Sequence, residues 1–159
     1  MDRARDPVRG HPADEVWMLY FDDVRPGETM ESPTYLIDHD EMVEFARRWD
    51  PVPIHIDSDA AEALGGVTAS GTYVLAVKSR LLHELPETFA IIGSAGYDEV
   101  RFHEPLRAGD AVHVVMDLLE VRPSRSKPDR GVVKLRISLV NQNDVTVMSH
   151  LDTIIVRRR

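Results

Sequence analysis

One segment limits the possible folds more than any other. From about Thr72 to Leu85 the chain is apolar most of the way round a helical wheel, with Tyr73, Val74, Leu75, Ala76 and Val77 followed by Leu81, Leu82 and Leu85. A helix of that kind must be covered on nearly every side. Pro86 stops it, and everything downstream reads as β-structure. Val133, Leu135, Ile137 and Leu139 alternate with Lys134, Arg136 and Ser138, the pattern of a half-buried strand. Val112, Val114, Met116 and Leu118 alternate more weakly, and Ala90 to Phe102 reads as a strand interrupted at Gly93 or Gly96. Asn141 to Asp144 signals a hairpin turn before a last strand from Val145 to Val156. One covered helix and a run of antiparallel strands give an α+β class, with the sheet curled around the helix.

The first half is less regular. Residues 1–16 are charged and contain proline, and read as a flexible leader before a single domain over 17–159. Without an apolar core they do not form a secretory signal, so the cytoplasm is the expected compartment. Pro33 points to an edge position for the strand-like residues up to Ile37. Asp38 or Asp40 caps a helix that carries Met42, Val43, Phe45 and Ala46 and ends near Trp49. A short helix is expected from about Ser58 to Leu64, then a break at Gly65-Gly66.

Charge and residue usage narrow the chemistry. With 27 acidic against 19 basic residues the net charge is −8, which disfavours nucleic acid as a partner. The three arginines at 157–159 are read as solvated. There is no cysteine, hence no thiol nucleophile or thiolate metal site, and the histidines show no HExxH or HxH spacing. No apolar run approaches the roughly 20 residues needed to cross a bilayer.

Two places can carry chemistry. Asp50 and His55 flank Pro51-Val52-Pro53, whose two prolines stiffen the backbone between a carboxylate and an imidazole. Such a pair can move protons near neutral pH; equally, Asp50 can cap a turn and His55 be a loop histidine. Ser70-Gly71 opens the apolar helix, where unpaired amides and a partial positive charge can hold a carbonyl oxygen that gains charge during reaction. The same two residues also make an ordinary N-cap and tight turn. Arg122, Arg125, Lys127 and Arg130 can meet phosphates, or simply form a solvated hairpin connection.

Taken together, Asp50-Pro51-Val52-Pro53-Ile54-His55-Ile56-Asp57 and Gly65-Gly66-Val67-Thr68-Ala69-Ser70-Gly71 resemble the signature of MaoC-like (R)-specific enoyl-CoA hydratases. Asp98 to Asp110 and Ser124 to Gly131 are similar to that family's next strand and turn and to a later loop, so the resemblance runs from about 20 to 157. It implies a hotdog fold, a curved antiparallel sheet wrapped around one long buried helix. It also implies hydration or dehydration of an acyl thioester. Asp50 and His55 then match the pair that holds the attacking water, and Gly71 matches the glycine whose amide, next to Ser70, holds the thioester carbonyl. Ser79 falls where some relatives carry an active-site serine, though it is more simply a helix residue. Arg125, Lys127 and Arg130 are candidate contacts for the phosphates of CoA. Two residues depart from the pattern: Val52 stands where the family commonly has Asn, and Ser70 where it often has His.

The partner expected is an acyl-CoA or acyl-carrier thioester, with no cofactor or metal and no membrane. The resemblance also implies at least a homodimer, or a higher homo-oligomer, because a hotdog sheet leaves an open edge. A thioesterase on the same fold, and a non-catalytic acyl-binding module, are the rival readings.

Overall fold

The computed structural model describes Trp17–Arg159. The leader expected over 1–16 lies outside the described residues. Five strands form the main sheet in the order β2 (Thr29–Glu31), β6 (Ala111–Pro123), β7 (Arg130–Asn141), β8 (Thr146–Arg157) and β5 (Ile91–Phe102), all antiparallel neighbours. A two-residue strand, β3 (Tyr35–Leu36), also pairs with β6, beyond Pro33 and on the same edge as β2. The opposite edge is β5.

Helix α2 (Gly71–Leu82) lies on the inner face of this sheet. Its Tyr73, Val74, Val77 and Leu81 pack into one core with Val112, Val114, Met116 and Leu118 of β6 and with the inward residues of β7 and β8. Burying four such side chains contributes about 1.5–3 kcal/mol each. This is the hotdog arrangement. The helix ends at Leu82 and not at Leu85: His83 closes it, and Leu85 still packs into the core from the following turn.

Three local readings change. Between Ser58 and Leu64 the chain forms turns and one 3₁₀ turn (Glu62–Leu64), not an α-helix; Gly65, left-handed at φ 76°, closes it. Glu87–Phe89 forms an additional strand, β4, parallel to β1 (Trp17–Leu19). Parallel pairing between segments so far apart leaves no local pattern to read. The long strand β5 is irregular at three points and not one: its register with β8 shifts at Gly93, at Gly96 and between Asp98 and Arg101, where Glu99 has φ 54°.

The first of these strands enters the domain through a tight contact. Phe21 lies over Gly131, where a Cβ would fall 2.1 Å from the ring. Asp22 beside it receives both Nε and Nη2 of Arg158, at 3.0 and 2.7 Å. That guanidinium holds the Asp22 carboxyl below its ordinary range. Helix α1 (His39–Trp49) covers the other end. It is capped by Asp38, which accepts from the Glu41 amide at 2.9 Å. Glu41 clamps α1 to its surroundings by accepting from both Tyr35 (2.6 Å) and Tyr73 (3.1 Å). The Glu41 hydrogen bond pushes Tyr35 up to about 12; burial first, then Glu41, raises Tyr73 as well.

Candidate active site

Asp50 is where α1 stops. Its amide still donates to Ala46 O at 2.9 Å, but its own backbone (φ −154°, ψ 68°) has left the helix, because Pro51 follows. Val52 N–H then donates to Asp50 O at 2.8 Å, and Pro53 opens a 3₁₀ turn (Pro53–His55) in which His55 N–H returns to Val52 O at 2.9 Å. The two prolines therefore wind the chain into a compact turn with half-buried Asp50 at one end and half-buried His55 at the other.

The imidazole has a fixed orientation. His55 Nδ1 lies 2.7 Å from the carbonyl oxygen of Thr68, which can only accept, so Nδ1 carries a proton and, in the neutral ring, Nε2 holds the lone pair. Thr68 Oγ1 lies 3.3 Å from the same nitrogen, and Thr68 N–H donates back to Ile54 O at 3.3 Å. Thr68 is three residues before Gly71, so these bonds tie His55 to the strip of chain that enters α2. Ala69 N–H donates to Leu106 O at 2.8 Å and fixes that strip to the next element.

At the helix start, Ser70 is fully buried and its Oγ accepts from Tyr73 N–H at 3.2 Å, while Val74 N–H takes Ser70 O. The Gly71 and Thr72 amides precede the first helical acceptor and have no partner among the described residues. The Phe102 ring lies over Gly71: a Cβ there would sit 2.9 Å from its Cζ. The close approach that glycine allows is thus used, at least in part, by a side chain of the protein itself. Thr68, Gly71, Phe102, His103 and Leu106 line an open cleft beside this helix start.

The structure thus ties His55 through Thr68 to the strip that leads into Ser70 and Gly71, with Asp50 one turn of chain away from His55; the cleft beside Gly71 is lined by neither Asp50 nor His55. It does not bring the basic hairpin there. Phe102 pairs with Met148, Met148 with Leu139 and Leu139 with Val114, whereas the hairpin leaves β6 after Pro123. Nine residues of strand separate those levels, roughly 30 Å. Arg125 and Lys127 are exposed, and Arg130 is held by Asp129 through Nε and Nη2, both at 2.7 Å. Each member of that pair pulls its partner toward the charged form. Ser79 lies two turns along α2 and lines a cavity beneath it.

Three residues that sequence reasoning passed over shape the site. Thr68 sets the histidine tautomer through its backbone, and Phe102 covers Gly71. Arg107 reaches from the β5–β6 connection to the carbonyls of Gly66 (2.8 Å) and Leu64, holding the loop between His55 and α2. Only Arg107 carried a signal, as a lone arginine in the turn Pro105 to Asp110. Among the described residues no three His, Asp or Glu side chains gather as a metal ion would need, and no helix is long and apolar enough to cross a membrane.

Comparison with known proteins adds the family. A family model described as MaoC like domain matches residues 23–141. A solved MaoC-like dehydratase from Rhodospirillum rubrum is 30% identical and superposes with a TM-score of 0.81, over 89% of this chain and 98% of that one. An unliganded (R)-hydratase from Pseudomonas aeruginosa is 21% identical, with a TM-score of 0.68 over 88% of this chain and 86% of its own. A Mycobacterium tuberculosis protein described as a double hotdog fold is 20% identical, with a TM-score of 0.70; it is covered over 44% of its length by 89% of this chain.

Proposed function

This chain belongs to the MaoC-like domain family, and from that premise we propose that it adds water across the double bond of an enoyl thioester, or removes it from the 3-hydroxyacyl thioester. Asp50 and His55 act as the acid–base pair. The observation that carries the reading is the 2.7 Å contact from His55 Nδ1 to Thr68 O. It leaves Nε2 as a proton acceptor on a ring tethered to the strip that opens α2.

In the hydration direction a water is shared between the Asp50 carboxyl and His55 Nε2. Its oxygen bonds to the β-carbon as its proton passes to the pair, and a proton reaches the α-carbon. Negative charge that develops on the thioester oxygen meets the free Gly71 and Thr72 amides. General acid–base assistance is typically worth 10²–10⁴-fold in rate, and an oxyanion donor about 10²–10³-fold. No cofactor enters this scheme. Val52 provides no side-chain hydrogen bond to the turn, and the backbone bonds from Val52 to Asp50 and from His55 to Val52 fix its shape.

We infer further that two copies work together. Edge strand β5 exposes Ile91, Ile92 and Phe102, and the double hotdog relative is about twice the length this chain covers. Antiparallel pairing of two β5 edges would bring Arg125 and Lys127 of the partner subunit toward the end of the sheet that carries Gly71. There they would be available to the phosphates of CoA, which this chain's own hairpin is too far away to meet.

The test offers purified protein a series of trans-2-enoyl-CoA thioesters and follows 3-hydroxyacyl-CoA formation and free thiol release together. Hydroxyacyl product that falls at least 100-fold in both Asp50→Asn and His55→Ala supports the assignment. Thiol release without hydration would move the reading to a thioesterase. Binding without either product would make the chain an acyl-binding module.

A further inference from the structure

A second group of polar residues lies two turns of helix from Gly71 and apart from the Asp50–His55 turn; Lys78, His150 and Asp152 are buried and Tyr97, on the edge strand, is 47% exposed. Beneath the C-terminal half of α2 is a cavity of about 240 Å³, walled by apolar side chains such as Phe89, Ile137 and Ile154. Polar side chains also line it: His83, Glu87 and Thr88 where the chain leaves α2, Ser79 on the helix itself, and Ser94, Tyr97 and Asp152 on the main sheet. Behind Tyr97 stand Lys78, fully buried, and His150, 2% exposed. Charged and polar groups are rarely buried without partners, because each lost hydrogen bond to water must be replaced.

Their hydrogen bonds show what is left over. Lys78 Nζ donates to Tyr97 Oη at 3.0 Å, so the phenol oxygen is already accepting and its hydrogen is free to be offered. The His150 ring packs tilted against Tyr97 with centroids 4.3 Å apart and has no hydrogen-bonding partner among the described residues, so it braces the phenol and supplies nothing to it. Ser94 Oγ donates to Asp152 Oδ1 at 3.2 Å and accepts from Gly96 N–H at 3.1 Å, which uses its one donor. The second Asp152 oxygen has no hydrogen-bond partner among the described residues and, unlike the His150 nitrogens, keeps some accessible surface. Tyr97 and Asp152 are directly opposite each other in the β5–β8 register, close enough for one small group to touch both.

We propose that this cavity receives the far end of the acyl chain, and that Tyr97 and Asp152 select a chain whose tail carries a hydroxyl group. The inference rests on the thioester reading above. A thioester oxygen held at Gly71 and a chain running along α2 would reach Ser79 after about 12 Å, eight residues at 1.5 Å each. A hydroxyl accepts from Tyr97 O–H and donates to Asp152, using both unfilled positions. A methyl end would cover the second Asp152 oxygen and leave it unpaired. A carboxylate end would be set against Asp152 and Glu87, two acidic residues of the lining, with Lys78 the buried cation behind Tyr97.

The experiment compares trans-2-enoyl-CoA thioesters of matched length that end in methyl, hydroxymethyl or carboxylate, over a range of lengths. The hydroxyl-ended chain is expected to exceed the methyl-ended one in kcat/KM by about 10- to 100-fold at the best length. That ratio is expected to collapse toward one in Asp152→Leu and to shrink in Tyr97→Phe, which keeps the ring in place should the first variant not fold. Equal rates for methyl and hydroxyl ends, a preference for carboxylate, or a ratio unmoved in both variants would overturn it. Calorimetric binding of the corresponding saturated acyl-CoAs separates this idea from the catalytic reading. With no turnover of any substrate, a hydroxyl preference in binding that is lost in Tyr97→Phe supports the pocket assignment, and equal binding overturns it.

Discussion

Gly71→Ala separates two roles that one glycine combines. The added Cβ would sit 2.9 Å from Phe102 Cζ and 3.1 Å from Cε2, so the ring must shift by a few tenths of an ångström. Phe102 is 51% exposed and its ring tip can yield toward solvent, so the overpacking cost belongs at the low end of the usual 1–3 kcal/mol. Gly71 is not among the left-handed residues, so alanine brings no backbone strain, and its helix preference over glycine, at most about 1 kcal/mol, offsets part of the clash. The net stability change should be within about 1 kcal/mol, a few degrees in Tm. Activity should respond differently. If the Gly71 amide holds the thioester oxygen, a methyl group beside it and a displaced Phe102 misplace the substrate, and kcat/KM should fall about 10- to 100-fold. Denaturant melts and hydration kinetics on Gly71→Ala, Phe102→Ala and the double variant close the cycle. Wild-type kcat/KM in a folded Gly71→Ala protein would refute the carbonyl-binding role. A stability loss above about 3 kcal/mol that Phe102→Ala does not recover would refute the clash argument.

Gly131→Ala is the opposite case. Its Cβ would fall 2.1 Å from the buried Phe21 ring, so urea titration should show a loss of about 3 kcal/mol or more, partly recovered by Phe21→Leu. Leu81→Ala empties a fully buried position on α2 and should cost about 2–5 kcal/mol in the same assay. His150 adds a pH dependence. Burial first, and the Lys78 charge, hold its pKa below the ordinary value of 6.5 in the folded state. The unfolded chain therefore takes up the proton first, and stability should decline as pH falls below about 6.5 until the folded pKa is passed. Thermal melts from pH 8 to pH 5 should show that slope in the native chain and a flatter one in His150→Leu. Equal slopes would mean that another group sets it.

The sequence announced α2, β7, the hairpin at Asn141 to Asp144 and the breaks in β5 because each rests on local periodicity or on a glycine in a strand. The β1–β4 pair and the true end of α2 depended on tertiary contacts, and no window of sequence contains those. His55 and Gly71 could be singled out from proline spacing and helix-start chemistry. The Thr68 carbonyl that fixes the His55 tautomer could not, since any residue has one. Phe102 over Gly71 is a contact across more than thirty residues of chain.

Lys78 shows how the remaining information was present but overlooked. Reading α2 by its apolar residues alone passes over position 78. Helical geometry nonetheless sets it four residues after Val74 and three before Leu81, on the stripe both of them bury. The same holds in β8, where Ile154 and Val156 fix the inward parity and carry His150 and Asp152 inside with them. An ionisable residue in phase with a buried stripe breaks the element, has partners waiting or, like His150 against the Tyr97 ring, is buried where its charged form is disfavoured. Here α2 and β8 are unbroken, and the partners found, Tyr97 for Lys78 and Ser94 for Asp152, both stand on the edge strand β5. A core selected only for stability would gain from apolar residues of similar volume at 78, 150 and 152. Asp152 lines the cavity and Lys78 reaches it through Tyr97, so on the reading proposed above these polar groups are retained for what the cavity holds.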